Sequence, residues 1–257
     1  MAIHPTAIVA PGAQVDATCQ IGPYAVIGPK VKMGPRTVVG AHAVVDGDTT
    51  IGAENQIFPH AAVGGIPQDL KYRGEPTKLV IGDRNRFREF CTAHVGTEGG
   101  GGVTRIGSGC LLMANSHVAH DVQLGDGCIL ANCASLAGHV VVEDHVIFGG
   151  LSAVHQFTRI GRLAFVGGMT GVGMDVAPYC TVTGARGVLA GLNTVGMQRA
   201  GMSEEQIGRV KEAYRLVFRS KLPLAEALDR VRAELGGHEE IARFAGFIEA
   251  SQRGLLR

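Results

Sequence analysis

An aliphatic residue returns at every sixth position through the first two thirds of this chain. From Ile3 the phase passes through Val9, Val15, Ile21, Ile27, Met33, Val39, Val45, Ile51, Ile57 and Val63, and it resumes at Ile81, Phe87 and Ala93. It then slips by one residue and holds from Ile106 to Val172. Of the 26 hexads so marked, 22 open with Ile, Leu or Val and 23 carry a small residue four places later, a regularity that marks a β-solenoid. Three hexads close one triangular coil, so each residue lies beside the one 18 places on, about 4.8 Å away at ordinary strand spacing. The aliphatic and small positions point inward, because a strand alternates its faces. Gly follows the aliphatic in 13 hexads and is expected, with Asp and Asn, to serve the corners where positive φ is needed. Each coil buries its inner face only against its neighbours, so the stack needs many coils and protected ends.

Two segments break the stack: 69–80 (DLKYRGEPTKLV) and 99–105 (GGGGVTR). Insertions in solenoids are extruded as loops, often for binding. The repeat is expected to end near Pro178, which predicts a β-helix over 1–177 and a linker and helical domain over 178–257. Ser203-Glu204-Glu205-Gln206 is a capping box, and Ile207, Val210, Tyr214 and Val217 then share one helical face. A second helix is expected from Pro223, with Leu224, Leu228, Val231 and Leu235 inward and Gly236-Gly237 as its stop. A third carries Ile241, Phe244, Phe247 and Ile248.

The net charge of +1 argues against nucleic acid as the main partner. No apolar run approaches the roughly 18 residues of a membrane span, and a repeat that begins at Ile3 leaves no room for a signal peptide. Cys19, Cys91, Cys110 and Cys128 occupy the small inward position of a hexad, so they are expected to be buried fillers in a reducing cytoplasm. The cap carries Arg209, Lys211, Arg215, Arg219, Lys221, Arg230 and Arg232 among acidic residues. A solvated face is the plain reading; a dock for an acidic partner is the functional one.

Chemistry is expected where residues break the structural logic of the repeat. Five of the ten histidines fall between His117 and His155: His117, His120, His139, His145 and His155. The 18-residue spacing stacks His120, Gly138 and Gln156 in one corner column and Asp121, His139 and Phe157 in the next. His120 is therefore a candidate general base and Asp121 its carboxylate, since imidazole titrates near working pH. A glycine N–H at 138 is placed to approach a developing oxyanion without side-chain obstruction. The alternatives are solvated corner histidines, a zinc triad of the carbonic anhydrase type, and a passive scaffold.

These residues resemble a known family. Asn115-Ser116-His117-Val118-Ala119-His120-Asp121, Leu136-Ala137-Gly138-His139-Val140, Ala153-Val154-His155-Gln156-Phe157 and the run from Gln68 to Thr77 are similar to the UDP-N-acetylglucosamine O-acyltransferases of lipid A biosynthesis. So are the tract Gly196-Met197-Gln198-Arg199 and the C-terminal Arg253-Gly254-Leu255-Leu256-Arg257. The resemblance covers the whole chain. It implies a left-handed parallel β-helix of hexapeptide repeats with a C-terminal α-helical domain, assembled as a homotrimer with active sites between subunits. It implies transfer of a 3-hydroxyacyl group from acyl carrier protein to the 3-hydroxyl of UDP-N-acetylglucosamine, with no cofactor and no metal.

The resemblance assigns the general base to His120, its orienting carboxylate to Asp121 and the oxyanion donor to the Gly138 N–H. It assigns substrate binding to Gln68, Asp69, Lys71, His117, His139, His155 and Gln156, uridine and diphosphate contacts to Asn193 and Arg199, and acyl-length control to Gly168 and Met169. Two positions depart from the family pattern. Val195 stands where an acidic residue is common near the nucleotide, and Val95 follows His94 where Arg is usual. Two relatives stay open at this stage: an enzyme taking a 3-amino sugar nucleotide, and the later N-acyltransferase of the same pathway, which carries a separate domain before its repeat.

Overall fold

The computed structural model describes residues 2–257. Short parallel strands stack into three sheets that form the faces of a prism, of 11, 9 and 8 strands. We call them A, B and C in the order the chain visits them. Sheet A opens with Ala2–Ile3, sheet B with Ile8–Val9 and sheet C with Gln14–Val15. Registers follow the coil length: Ala2 pairs with Gln20, His117 with Ser135 and Ser135 with Ala153. The inward side chains fuse into one continuous core from Cys19 to Val182 that contains the four filler cysteines.

The corners differ from the expectation. Positive φ falls on the third residue after the aliphatic, and nearly all such residues are not glycine: Glu54 at 59°, His139 at 62°, Leu163 at 57°. The glycine directly after the aliphatic has another cause, which is close approach between coils. A Cβ on Gly34 would lie 2.8 Å from the carbonyl oxygen of Gly52 in the next coil. The position between these two is where proline gathers (Pro23, Pro35, Pro59), because its N–H joins no backbone ladder.

Both insertions leave from the corner between sheets B and C. They begin earlier than the sequence reading puts them. Lys78 pairs with Asp48 and Val103 with Lys78, so 78–80 and 103–105 are strand and the extruded segments are 66–77 and 96–102. The ladder also outlasts residue 177. Cys180–Thr183 still pairs with sheet A, and Val188–Leu192 folds back on it antiparallel, closing the end of the stack.

Four α-helices follow: α1 (Thr194–Arg199), α2 (Glu204–Tyr214), α3 (Leu224–Leu235) and α4 (Glu239–Glu249). The Ser203 capping box opens α2, and Ile207, Val210, Leu228, Val231, Ile241 and Phe244 form the helical core. The short α1 was not expected. The basic residues of the cap are largely neutralised in place: Arg209 pairs with Glu240, Arg215 with Glu212, Arg230 with Glu234 and Arg232 with Glu249. The C-terminal tail returns to the solenoid, where buried Asp175 accepts from Ser251 and from the Arg159 backbone.

Candidate active site

The corner between sheets B and C gathers the candidate residues. His120 precedes Asp121, and His120 Nδ1 lies 2.8 Å from Asp121 Oδ2. One coil up, the His139 N–H donates to the His120 carbonyl at 3.1 Å, and two coils up the Phe157 N–H donates to the Gly138 carbonyl at 3.2 Å. These bonds are the 18-residue columns made physical. His139 stacks on Phe157 with ring centroids 4.4 Å apart and meets the His120 ring edge-on at 5.0 Å. The His120 ring covers Gly138 so closely that a Cβ there would sit 2.5 Å from His120 Cε1.

Asp121 is buried and fully engaged. Its Oδ1 accepts from the Thr97 N–H at 2.9 Å, its Oδ2 from the Thr97 hydroxyl at 2.6 Å, and its own N–H donates to Thr104 Oγ1 at 2.7 Å. A carboxylate held this way cannot rotate off the imidazole. Thr97 lies in the second extruded segment, and Gly100 of the same segment lies against the carboxylate so closely that a Cβ would collide with it. The glycine run is therefore a clamp on Asp121. Sequence reasoning missed Thr97; only the glycines signalled a close approach.

With Nδ1 donating to Asp121, His120 Nε2 is the free acceptor of the ring. The Gly138 N–H occupies the corner position that joins no ladder. On the corner between sheets C and A, side chains of the next coil serve such N–H groups, as Asp126 serves Ser108 and Asp144 serves Asp126. Above Gly138 stands Gln156, which makes no such bond among the described residues. The column thus presents a base and an unpaired N–H donor together.

Other assigned residues surround this pair. His117 points outward from sheet B with Nδ1 2.7 Å from Thr92 Oγ1. His155 Nδ1 lies 3.1 Å from the Gln156 carbonyl and 3.3 Å from an Arg253 Nη2, which the returning tail supplies. Asp69 and Lys71 fold back from the first extruded loop within electrostatic range of His139. Asp69 Oδ1 accepts from the Lys71 N–H at 2.9 Å, which shapes that loop, while Gln68 is exposed beside it. Burial, above all, holds His117 and His139 below the ordinary imidazole range, and pushes His94 down to about 4. His94 Nδ1 is buried without a partner, and its ring meets His117 edge-on at 4.9 Å. His120, Asp121 and His139 also bring their ligand atoms within 4.8 Å of one another, the one grouping among the described residues that could hold a metal ion.

Two assigned sets stand elsewhere on the single chain. Asn193 and Arg199 lie at the corner between sheets C and A, where they line a cavity of about 580 Å³ with His145, Arg162, Phe165 and Val195. Asn193 is occupied there: its Oδ1 caps α1 at the Gly196 N–H and its Nδ2 donates to the Leu163 carbonyl at 2.8 Å. His145 belongs to this cavity and is separated from the other four histidines. Gly168 and Met169 lie on the third corner, between sheets A and B, where Met169 is exposed. Val95 points under the first loop, away from the histidines, beside Gly47 and Gly64.

Known proteins resemble the chain along its whole length. A family model described as Udp N-acetylglucosamine O-acyltransferase, domain 2, matches residues 175–256, and one described as bacterial transferase hexapeptide (six repeats) matches 12–47 and 104–138. The acyl-[acyl-carrier-protein]–UDP-N-acetylglucosamine O-acyltransferase of Anaeromyxobacter dehalogenans (strain 2CP-1) is 72% identical over 257 residues, 100% of each chain. That of Myxococcus xanthus (strain DK1622) is 59% identical over 255 residues, 99% of each. The crystal structure of UDP-N-acetylglucosamine O-acyltransferase from Moraxella catarrhalis superposes with a TM-score of 0.96 at 44% identity, covering 100% of both chains.

Proposed function

This chain belongs to the acyl-[acyl-carrier-protein]–UDP-N-acetylglucosamine O-acyltransferase family, and from that premise we propose that His120 is the general base in the acylation of a nucleotide sugar. Its fold is the left-handed parallel β-helix of hexapeptide repeats with a C-terminal helical domain. Its reaction is acyl transfer from acyl carrier protein to UDP-N-acetylglucosamine, in the lipid A pathway. The donor group is a 3-hydroxyacyl chain and the acceptor is the sugar 3-hydroxyl.

The observation that carries this reading is the 2.8 Å approach of Asp121 Oδ2 to His120 Nδ1, which leaves Nε2 as the acceptor. His120 Nε2 takes the hydroxyl proton as the sugar oxygen attacks the thioester carbonyl. The Gly138 N–H donates to the tetrahedral oxyanion. Collapse breaks the C–S bond, and the imidazolium returns the proton to the departing carrier thiolate. Asp121 stabilises the imidazolium between these steps. Asp69, Lys71, His117, His139, His155 and Gln156 surround the acceptor sugar, while Gln68 adjoins them. Arg199 suits the diphosphate through its guanidinium fork, and Asn193 adjoins the uridine.

Because Arg199 and Met169 lie on corners other than that of His120, the reading requires copies to share a site, as in a homotrimer working in the cytoplasm. Gly168 and Met169 then set the depth of the acyl groove. No helix among the described residues is long and apolar enough to cross a membrane. Replacing His120 by Ala should cost on the order of 10²-fold or more in turnover, with the thermal transition unchanged. Turnover near that of the unaltered protein would sink the assignment.

A further inference from the structure

Three corners of one chain carry parts of one proposed site: His120 between sheets B and C, Arg199 between C and A, Met169 between A and B. Packing sheet A of one copy against sheet B of the next joins all three. It also turns the corner between A and B toward the axis that relates the copies. We propose that this corner lines the three-fold axis, and that a ladder of stacked rings along it makes assembly sensitive to acid. The inference rests on the trimeric reading above.

The ladder is Tyr24, His42, His60 and Phe90, each at the positive-φ corner position of its coil. Successive ring centroids are 4.9, 5.1 and 5.0 Å apart, with planes within 11°, 3° and 3°. All four rings are exposed on a single chain, Tyr24 at 57% and Phe90 at 55%, and Leu151 and Met169 continue the edge at 62% and 71%. An exposed edge of four stacked rings, followed past Asn115 and Cys133 by Leu151 and Met169, marks a contact surface. Val38 on sheet A and Val44 and Ala62 on sheet B flank it with small apolar side chains. A second copy is the occupant that also completes the site.

Charge is scarce along this edge. Beside the ladder stand Arg86, Arg88 and Glu89, and Arg88 pairs with Glu89 and covers Phe58. Neither His42 nor His60 has an acidic partner among the described residues. Neutral, the two imidazoles are flat rings in a stack. Protonated, they become adjacent like charges 5.1 Å apart, repeated in each copy around the axis. Like charges stacked this closely repel, so acid should loosen the assembly.

Sedimentation velocity at pH 8 and pH 5.5 tests this, with the His42→Phe/His60→Phe double variant as the control that keeps the stack without the charge. The unaltered chain should be trimeric at pH 8, and its dissociation constant should rise about tenfold or more at pH 5.5, while the double variant stays trimeric at both. Equal behaviour of the two proteins at pH 5.5 would overturn the acid-sensitive ladder. His42→Cys chains should cross-link to one another with a short bismaleimide, and Glu54→Cys chains on the corner between C and A should not. A trimer in which His42→Cys fails to cross-link overturns the axis and leaves the shared site standing. A monomer at pH 8 that is fully active overturns the trimeric reading itself.

Discussion

At the scale of the residue, burial lowers the pKa of His94, His117 and His139 around the proposed base, His120. His94 shows the cost. Burial pushes its pKa down to about 4 from 6.5, so between those values the unfolded chain binds a proton that the folded chain refuses. Stability is therefore full above pH 6.5 and falls as pH drops toward 4; His117 and His139, lowered in the same sense, add to the slope. Urea midpoints from pH 7 to pH 4.5 should fall more steeply for the unaltered protein than for His94→Gln, and parallel slopes would refute this account. The column of His120, Gly138 and Gln156 was legible in the sequence because it follows from periodicity alone. The bonds from Thr97 to Asp121 were not, because they cross an insertion whose path no period describes. Nor did periodicity alone tell a catalytic histidine from a corner histidine; His145, in the same run, faces a different cavity.

At the scale of the element, the hexad is set by two constraints that look alike in sequence. One residue adopts positive φ, and in half the hexads another carries no side chain where the next coil lies against it. Glycine was assigned to the first and serves the second. Gly34→Ala would push a Cβ to 2.8 Å from a backbone oxygen, and backbone cannot swing aside. Calorimetry should show a loss of about 1–3 kcal/mol, whereas an unchanged transition would mean that the coils are not so closely set. Ser203→Ala removes the cap of α2 and should cost about 1 kcal/mol. The helices with a clean apolar stripe were legible. The six-residue α1 was not, since it is too short for a period and is held by Asn193 and by burial of Met197 against the solenoid end. The insertions were located but placed three residues late, because 78–80 and 103–105 read as loop until their pairing partners are known.

At the scale of the molecule, the proposed division of one site among three corners would make assembly part of catalysis. Mixed trimers of His120→Ala and Arg199→Ala chains should regain activity that neither variant has alone, because some interfaces then join an intact base to an intact Arg199. Absence of any recovery after mixed refolding would place both residues in one chain's site. The prism shape and its helical cap were legible from the repeat and its end. The proposed sharing came only through the family resemblance, since a sequence orders corners along one chain and is silent about which neighbour faces them. The central claim, that His120 directs an acyl group onto a nucleotide sugar, is tested most directly by product mass. Unaltered protein given 3-hydroxyacyl carrier protein and UDP-N-acetylglucosamine should yield the nucleotide sugar heavier by one 3-hydroxyacyl group, ester-linked at position 3, and His120→Ala should yield almost none. No acylated sugar from the unaltered protein, or equal yield from both, would contradict the account.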